Sequence, residues 1–526
     1  MNDSASLEEM LATLASHTDL GHRLRSQAFL RQVRQACACP GVASPHASGT
    51  AIAKMPLADA LSFYRFMDDE GADIEALREA RAQTALAGVP PGHDILNIYD
   101  GSQLNFSSHN SKKDRRLIGD HRELGYEYVC SLALDLTDER LLGVVHDCLV
   151  NADGPDDRAS MDYGYEPLFA HFSKTEKVRL RANHKHQMAV HIRGTAERLK
   201  PWHVIDVADR EFDDVFILDS CRSANRDFVI RSKADRNVQM PHCEWIPDSA
   251  RALNRSPFPT PAGYTCVNLK HLIAHVPLPF RRELPLDHAN RVVDPKNAAR
   301  VAVLSAGAFK CRLYRPAKRN KTYVTPHRPV DLNVVVIREL SPPPDVTPVC
   351  WVLFTSLPVD TPEQIAAIVR IYELRWRIEL FFRLLKSGWH IDKSRYDSAA
   401  KLARYLVVVT LAAVAVNDLA RTLGFPLHGI PEPQHYAQLK TAMLQPQDPQ
   451  IALNLRILAH ILRLGGWLGR RRDPIGPLIL MRGTLAFLAV LHDFITVTKL
   501  LEEVAASPDA LARLGVARWA RPPASP

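Results

Sequence analysis

Short runs of apolar residues separated by polar turns dominate the middle of the 526-residue chain. Residues 95–100, 126–134 and 142–150 have the pattern of three strands, and a helical stretch follows over about 176–199. Two more strand-like runs come next, at 204–209 and 228–230. Three strands, a helix, a strand, a helix and a strand predict a central mixed sheet flanked by helices, an α/β fold.

The pattern changes towards both ends of the chain and again between residues 236 and 350. The N-terminal part is helical as far as the Pro-Pro-Gly breaker at 90–92, and helices resume after Pro362. The predicted division is a helical N-terminal domain at 1–90, a core in two parts at 91–235 and 351–425, an all-β insertion at 236–350, and a helical C-terminal domain at 426–526.

The helix that begins after Pro362 groups four functional side chains on one face. At about 100° per residue, Tyr372, Arg375, Glu379 and Lys386 fall within an arc of about 60°. A separate apolar stripe can seat this helix on a sheet: Ile371, Leu374, Ile378, Phe381 and Leu385. Taken alone, the charged face is equally typical of a solvated surface in which Arg375 and Glu379 form an i,i+4 ion pair.

Two aspartates stand at the ends of predicted strands, where catalytic groups of α/β folds are commonly found. Asp100 ends the first strand and Asp209 ends the fourth, and these strands can be neighbours in a mixed sheet. Either aspartate alone is more often a turn or cap residue. Together with Glu379 they supply three hard oxygen ligands, the set that Mg²⁺ or Mn²⁺ prefers when it also binds phosphate oxygens. Two such ions can activate a nucleophile and stabilise the leaving oxygen of a phosphodiester.

Composition adds only weak constraints. The chain has 66 Lys and Arg against 58 Asp and Glu, a net charge of +8, which permits a polyanionic partner without requiring one. The basic run at 310–321 is typical either of a solvated hairpin or of a nucleic-acid groove. Nine scattered cysteines, no signal-peptide pattern, and a longest apolar run (406–416) too short to cross a bilayer lead us to expect a cytoplasmic protein without a membrane partner.

The four-residue signature and its surroundings resemble a known family. Tyr372-x2-Arg375-x3-Glu379-x6-Lys386, preceded by Asp100 and by Asp209-Arg210-Glu211, is similar to the signature of the insertion-sequence-four family of bacterial DDE transposases, the group of the transposon-five enzyme. Further similarity lies at positions 228–233, 351–356 and 464–467. The resemblance extends over about residues 20–500.

The resemblance implies a ribonuclease-H-like mixed-sheet core with an inserted all-β subdomain, and it implies roles for named residues. Asp100, Asp209 and Glu379 would bind two Mg²⁺ ions, for which Mn²⁺ can substitute. The residues expected to contact DNA are Tyr372, Arg375, Lys386, Arg231, Lys233, Trp351 and Arg210. Trp351 matches a tryptophan that stacks on a flipped base in relatives, and a buried sheet tryptophan is the alternative.

One motif departs from the family. The family usually has Asp-Thr-Thr at the first acid, whereas this chain has Asp100-Gly101-Ser102. No role is therefore assigned to Gly101 or Ser102, and the expectation for Asp100 is unchanged.

The expected function is cut-and-paste transposition in the bacterial cytoplasm, at the nucleoid. N-terminal helices would read the terminal inverted repeats of double-stranded DNA, the core would cleave the transposon end and join it to target DNA, and C-terminal helices would pair two protomers. Two alternatives remain. One is an inactive or repurposed transposase that only occupies inverted repeats, and the other is a two-metal, structure-selective nuclease.

Overall fold

A mixed β-sheet forms the centre of the protein in a computed structural model. The residues that it describes are 3–18, 23–38, 57–119, 122–157, 184–254, 258–286, 300–314, 329–344, 348–422, 433–467 and the single positions 479, 482, 483 and 498. Thirteen strands of these residues belong to one hydrogen-bonded sheet.

The strands and helices have the following bounds in chain order. The strands are β1 (Asp94–Asn105), β2 (Arg116–Ile118), β3 (Glu123–Asp135), β4 (Arg140–Asn151), β5 (Gly154–Pro155), β6 (His203–Ala208), β7 (Asp227–Arg231), β8 (Asn237–Pro241), β9 (Tyr264–Asn268), β10 (Phe280–Leu286), β11 (Arg300–Leu313), β12 (Val330–Glu339) and β13 (Cys350–Thr355). The helices are α1 (Asp3–His17), α2 (Arg23–Ala38), α3 (Leu57–Asp68), α4 (Ile74–Leu86), α5 (His184–Gly194), α6 (Ala196–Leu199), α7 (Val215–Ser223), α8 (Leu269–Leu272), α9 (Pro362–Leu374), α10 (Trp376–Gly388), α11 (Ala399–Thr422), α12 (Pro433–Leu444) and α13 (Leu453–Leu464).

Three parallel strands lie at the centre of the sheet, because β1 pairs with β6 and β6 pairs with β7. Antiparallel β3 and β4 extend the sheet beyond β1, and antiparallel β13, β12 and β11 extend it beyond β7. Nearly every residue of β3 and β4 is buried, and the buried polar side chains among them are paired, as Asp147 is with Arg81. The predicted succession of strands and helices in the core is confirmed.

Alternate residues of the central strands enter two different hydrophobic cores. Leu96 and Ile98 of β1 pack in the core that contains α9, α10 and α11, whereas Tyr99 packs in the core that contains α5 and α7. Val207 of β6 and Val229 of β7 share the core of Ile98. Side chains two positions beyond Ile98, Val207 and Val229 lie on the same face of the sheet and therefore face α10.

The N-terminal helices share their core with the rest of the protein. Phe29 of α2 and Phe66 of α3 belong to the same hydrophobic core as Tyr405 of α11. Helix α4 packs on β4, where Arg81 forms a buried ion pair with Asp147 at 2.7 Å. Residue 90 therefore marks a change of secondary structure within one packed unit, not the break between cores that a separate domain would have.

The predicted insertion is rich in strands and continues the central sheet. It contributes β8 to β12, and β12 pairs with β13 of the core. It also contains the short helix α8, so the expectation of an all-β segment is wrong in that detail. Of the basic run at 310–321, positions 315–321 lie outside the described residues.

Helix α11 extends at both ends beyond the apolar run at 406–416. Its segment Ala399–Asp418 is long and apolar enough to cross a membrane, but 78% of that window is buried inside the protein. The helix packs against β4, α2 and α4, which is the environment of a central core helix.

Two glycines in the C-terminal part allow close backbone contact within the chain. A Cβ atom on Gly465 would lie 1.9 Å from the carbonyl oxygen of Ile479, and one on Gly483 would lie 1.8 Å from that of Ile461. These glycines therefore serve packing within one protomer. Most of the predicted assembly module beyond residue 467 lies outside the described residues.

Candidate active site

Three functional residues stand at matching positions on the three parallel strands. Asp100 lies on β1 just beyond the part of that strand that pairs with β6. Asp209 follows the end of β6, and Arg231 is the last residue of β7. Each lies two residues beyond the aligned row formed by Ile98, Val207 and Val229. Neighbouring strands are about 4.8 Å apart, so the sheet brings these three residues together on the face that α10 covers.

Neither aspartate is placed quite as the sequence predicted. Strand β1 does not end at Asp100 but continues to Asn105, because β3 pairs with it over that whole length. Asp209 follows β6 and caps the short helical turn at Arg210–Phe212, accepting a hydrogen bond from the N–H of Glu211 at 2.7 Å. Asp209 thus has a cap role in addition to any ligand role.

The helix over the site is divided into α9 and α10 at Arg375, although the sequence predicts one continuous helix. Arg375 keeps helical dihedral angles (φ −52°, ψ −34°), so the faces of the two helices stay aligned. The predicted apolar stripe is confirmed, since its members are all buried: Ile371, Leu374, Ile378, Phe381 and Leu385.

Arg375 links the helix to the strand. Its Nη1 lies 3.5 Å from Oδ2 of Asp100, and its Nη2 donates a hydrogen bond to Oε1 of Glu379 at 2.5 Å. Only 8% of the Arg375 side chain is exposed, compared with 35% for Glu379. The ion pair between Arg375 and Glu379 is therefore present, but it lies against the sheet and not on a solvated surface.

The three carboxylates share one electrostatic environment. Burial raises the pKa of Asp100 to about 6; Arg375 and the N–H of Gly101 oppose the rise, and the negative charges of Asp209 and Glu379 add to it. Like charges near one another are stabilised by a nearby cation. Arg375 supplies that cation for Asp100 and Glu379.

The chemistry of these donors fits a divalent metal, although the side chains are not preformed as a metal site. No three His, Cys, Asp or Glu side chains among the described residues converge in a metal-binding group. Carboxylate oxygens are nevertheless the ligands that Mg²⁺ and Mn²⁺ prefer, and burial beside two like charges favours a bound cation. Arg375 and a divalent ion are alternative counter-charges for Asp100 and Glu379.

Tyr372, one of the residues expected to contact DNA, is buried beneath Trp351. It is 1% exposed, and its ring packs edge-on to that of Trp351 at 5.2 Å between centroids. Burial raises the pKa of its hydroxyl, while Arg375 and Arg231 oppose the rise. Tyr372 supports Arg231 and Trp351 from below, and its contact with a DNA phosphate stays a prediction.

Trp351 and Arg231 lie at the margin of the same face. Trp351 is half-buried on β13, which agrees in part with the alternative of a sheet tryptophan. Arg231 is half-buried, and its Nη2 donates to the carbonyl oxygen of Cys350 at 3.3 Å. Both keep part of their surface open above Tyr372.

The remaining predicted DNA contacts differ in exposure. Lys386 is half-buried, and its Nζ donates to the carbonyl oxygen of Gln103 at 3.0 Å, which ties α10 to β1. Arg210 and Lys233 are exposed. The backbone N–H of Lys233 donates to Asp213 at 2.8 Å and leaves the ammonium group at the surface.

Trp376 was not among the sequence candidates, yet it is the large exposed ring nearest to the carboxylates in the described residues. It is 48% exposed, and the guanidinium of Arg375 lies 5.3 Å from its ring centroid. The helical period could have indicated it. On a helical projection with Tyr372 at 0°, Trp376 falls at about 40°. That position is next to the arc that holds Tyr372, Arg375, Glu379 and Lys386, and it is far from the apolar stripe.

A second charged cluster lies on the opposite face of the same helices. Arg370 of α9 pairs with Glu139 in the β3–β4 turn, and Arg282 of β10 pairs with Glu373 at 2.8 Å. Arg377 of α10 lies 3.8 Å from Glu139. Glu139 therefore contacts residues on both sides of the break at Arg375, a tertiary arrangement for which the sequence gives no signal.

A mixed sheet with two aspartates on neighbouring parallel strands and a glutamate on the covering helix is compatible with a ribonuclease-H-like DDE core. Residues 170–415 match the family model described as a transposase DDE domain. The match includes Asp209, Glu379 and the whole helix pair α9–α10, and Asp100 lies before it. It supports a DDE transposase, an enzyme class that acts on DNA and generally uses divalent metal ions.

Proposed function

We propose that the protein is a cut-and-paste DNA transposase of the insertion-sequence-four type. The observation that carries this proposal is the contact of one guanidinium, that of Arg375, with both Asp100 of β1 and Glu379 of α10, while Asp209 follows the neighbouring strand β6 at the matching position. The transposase domain match over residues 170–415 supports the same conclusion. The substrate would be double-stranded DNA at the terminal inverted repeats, followed by target DNA.

Asp100, Asp209 and Glu379 would hold two Mg²⁺ ions, or Mn²⁺ in their place. When bound, such ions supply Lewis-acid stabilisation of the attacking and leaving oxygens of a phosphodiester. Attack of water on phosphorus breaks the P–O3′ bond and leaves a 3′-hydroxyl on the transposon end and a 5′-phosphate on the flanking strand. In strand transfer, that 3′-hydroxyl attacks a target phosphodiester and displaces its 3′-oxygen.

The surface around the carboxylates offers cations and aromatic rings to DNA. Arg210 and Lys233 are exposed, and Arg231 is half-buried, so each can contact a backbone phosphate. Trp376 offers an exposed ring on which an unpaired base can stack, with Trp351 as a second, less accessible ring. Arg375 would move from the carboxylates towards phosphate when a metal ion replaces it.

Transposition also requires two DNA ends to be held together. We therefore propose a homodimer in the paired-end complex, with residues 426–526 in the assembly role, and action in the cytoplasm at the nucleoid. A protein truncated after about residue 430 should bind one end and form no paired-end complex, as seen by native gel electrophoresis. Paired-end complexes at normal yield would contradict this role.

The decisive test is cleavage of a labelled duplex that carries the element's terminal repeat, in Mg²⁺. Asp100→Asn, Asp209→Asn and Glu379→Gln should each lose detectable cleavage and retain duplex binding within about twofold, since phosphate contacts persist. Asp153→Asn is the control, because it removes an exposed carboxylate in the turn between β4 and β5 and should cleave normally. Normal cleavage by Asp209→Asn would overturn the proposed site.

Strand transfer separates the alternatives. A transposase joins the released 3′-hydroxyl to a second DNA in the same reaction. A structure-selective nuclease would cleave without joining, and a repurposed binding protein would do neither.

A further inference from the structure

The loop that follows β1 buries a lysine without giving it a hydrogen-bond acceptor. Lys112 is 0% exposed, and its Nζ has no hydrogen-bond partner within the described part of the chain. Nζ lies over the ring of Phe106, 4.5 Å from the centroid. Burial lowers the pKa of Lys112 to about 8, so the group is still mainly charged at neutral pH. A buried charge that lacks an acceptor is destabilising, and an anion is the partner that it lacks.

Two arginines and a histidine surround this lysine. After burial, the charges of Lys112, Arg395 and Arg115 lower the pKa of His109, so the imidazole is neutral at pH 7 and lies in the positive field of the other three side chains. We call His109, Lys112, Arg115 and Arg395 the loop cluster. Arg395 is exposed, whereas His109 and Arg115 are half-buried, so part of the cluster lies at the surface while Lys112 is covered.

The acids nearest to Lys112 are engaged elsewhere. Asp114 accepts hydrogen bonds from the hydroxyl of Tyr126 and, at 2.8 Å, from the N–H of Ala399. Asp397 forms an ion pair with Lys401 at 3.1 Å. Three cations of the loop cluster (Lys112, Arg115 and Arg395) stand against the two carboxylates of Asp114 and Asp397, so the net charge is positive. The cluster lies beside the N-terminus of the 24-residue helix α11, whose dipole adds to the field.

The loop cluster continues the line of β1 away from the carboxylates. Lys386 contacts Gln103, three residues beyond Asp100, and the loop starts at Phe106. At about 3.3 Å per residue, Phe106 is about 20 Å from Asp100. That length corresponds to about six nucleotides of a DNA strand at about 3.4 Å each.

We propose that the loop cluster is a phosphate-binding site that takes a backbone phosphate of the substrate DNA about six nucleotides from the scissile bond. Arg395 and Arg115 reach the phosphate from the solvent side, and Lys112 stabilises it from beneath. This inference rests on the proposed function for the identity of the ligand. Inorganic phosphate has the same chemistry, so the experiment must separate the two sources.

The first measurement is binding of a fluorescein-labelled end duplex of about 20 base pairs, followed by anisotropy across a range of NaCl concentrations. Arg395→Ala should weaken binding several-fold and reduce the salt slope by about one, because it removes a direct phosphate contact. Lys112→Met should weaken binding by a smaller factor, because it removes the buried charge beneath the phosphate. Lys200→Ala is the matched control: this exposed lysine lies just before β6, at the edge opposite the carboxylates, and its loss should leave the slope unchanged.

A neutral methylphosphonate in the duplex locates the contact. Placed five to seven nucleotides from the cleavage position, it should weaken binding to the wild-type protein and have no further effect on Arg395→Ala. Additive losses, or slopes equal to wild type in both variants, would overturn the proposal. Arg395 is exposed, so its variant tests the site even where Lys112→Met folds poorly.

Thermal unfolding with inorganic phosphate distinguishes the other source. Phosphate should raise the wild-type melting temperature above that in chloride at equal ionic strength, and it should do so less for Lys112→Met. Phosphate stabilisation together with unchanged DNA slopes would mean that the site takes only a free anion, which overturns the DNA assignment. Failure of the wild-type protein to bind the duplex at all would instead overturn the proposed function.

Discussion

The guanidinium of Arg375 lies 3.5 Å from the carboxylate of Asp100, a contact between residues 275 positions apart in the sequence. It joins the helix pair α9–α10 to the central strand β1. The same guanidinium bonds Glu379, so one buried cation compensates two acids that are expected to bind metal. Two consequences can be tested, one on stability and one on metal dependence.

Arg375→Ala should destabilise the protein when divalent ions are absent. The two carboxylates left without their shared cation are only partly buried, so the loss costs about 1–3 kcal/mol. Added Mg²⁺ should restore part of that loss, because it offers the same carboxylates a counter-charge. Urea unfolding with and without Mg²⁺ measures both effects.

Arg375→Lys is the control for this variant, since it keeps a positive charge near Asp100. It should be less destabilised and should respond less to Mg²⁺. An equal Mg²⁺ response in the wild type and in Arg375→Ala would show that the ion does not compete with Arg375 for these carboxylates.

The two tryptophans near the site should respond differently to truncation. Trp376→Ala removes an exposed ring, so folding stability should change little while binding of end DNA weakens by about 5- to 150-fold, the value of one stacked base at about 1–3 kcal/mol. Trp351→Ala removes a ring that packs on Tyr372 and should mainly lower stability. Anisotropy and urea unfolding separate the outcomes, and normal DNA binding by Trp376→Ala would argue against stacking there.

Much of the site's framework could be predicted from sequence because it follows from short periods. Alternation along β1 and β6 places Asp100 and Asp209 on one face, and the helical period places Arg375 and Glu379 together. The parallel pairing of β1 with β6 confirms that the two strands are neighbours. None of this required knowledge of distant contacts.

Other features could not be predicted because they depend on how deeply one element sits on another. Tyr372 shares the functional arc of its helix, yet it is buried where that arc meets β13, and Trp376 is exposed one turn further on. The break at Arg375 and the contacts of Glu139 with Arg370 and Arg377 are tertiary. Local pattern carries no information about them.

His203 should make stability depend on pH above neutrality. Its Nδ1 lies 2.9 Å from Asp94 and its Nε2 lies 2.7 Å from Asp227, and an imidazole can donate to both only when protonated. Burial lowers the pKa of His203, but the hydrogen bonds to Asp227 and Asp94 outweigh it and raise the pKa above its ordinary value.

The raised pKa of His203 determines how stability changes with pH. The stabilisation is fully present below the unfolded pKa of about 6.5 and is lost as pH rises through the higher folded pKa. Urea midpoints of wild type and His203→Gln should therefore differ most near pH 6 and converge by about pH 9. A difference that stays constant over this range would show that protonation of His203 is not the source.

The buried cluster around Asp147 should make the N-terminal helices inseparable from the core. Arg81 donates two hydrogen bonds to this carboxylate, Arg78 donates one at 3.0 Å, and the hydroxyl of Tyr128 donates another at 2.8 Å. Burial opposes ionisation, but the two arginines hold the pKa of Asp147 well below its usual range. The group is therefore ionised at neutral pH, and its contribution to stability is lost only in acid, as pH falls through the depressed pKa.

Asp147→Asn should destabilise the protein by about 3–5 kcal/mol, because it leaves Arg78 and Arg81 buried without their shared counter-charge. The exposed Asp153→Asn is the matched control on the same hairpin and should change the urea midpoint little.

Removal of residues 1–90 deletes both arginines and exposes the core residues that pack against Phe66. The truncated protein should therefore fail to fold cooperatively. A stable, soluble fragment starting at residue 91, or an Asp147→Asn midpoint equal to wild type, would show that the N-terminal helices form the independent domain that the sequence predicts.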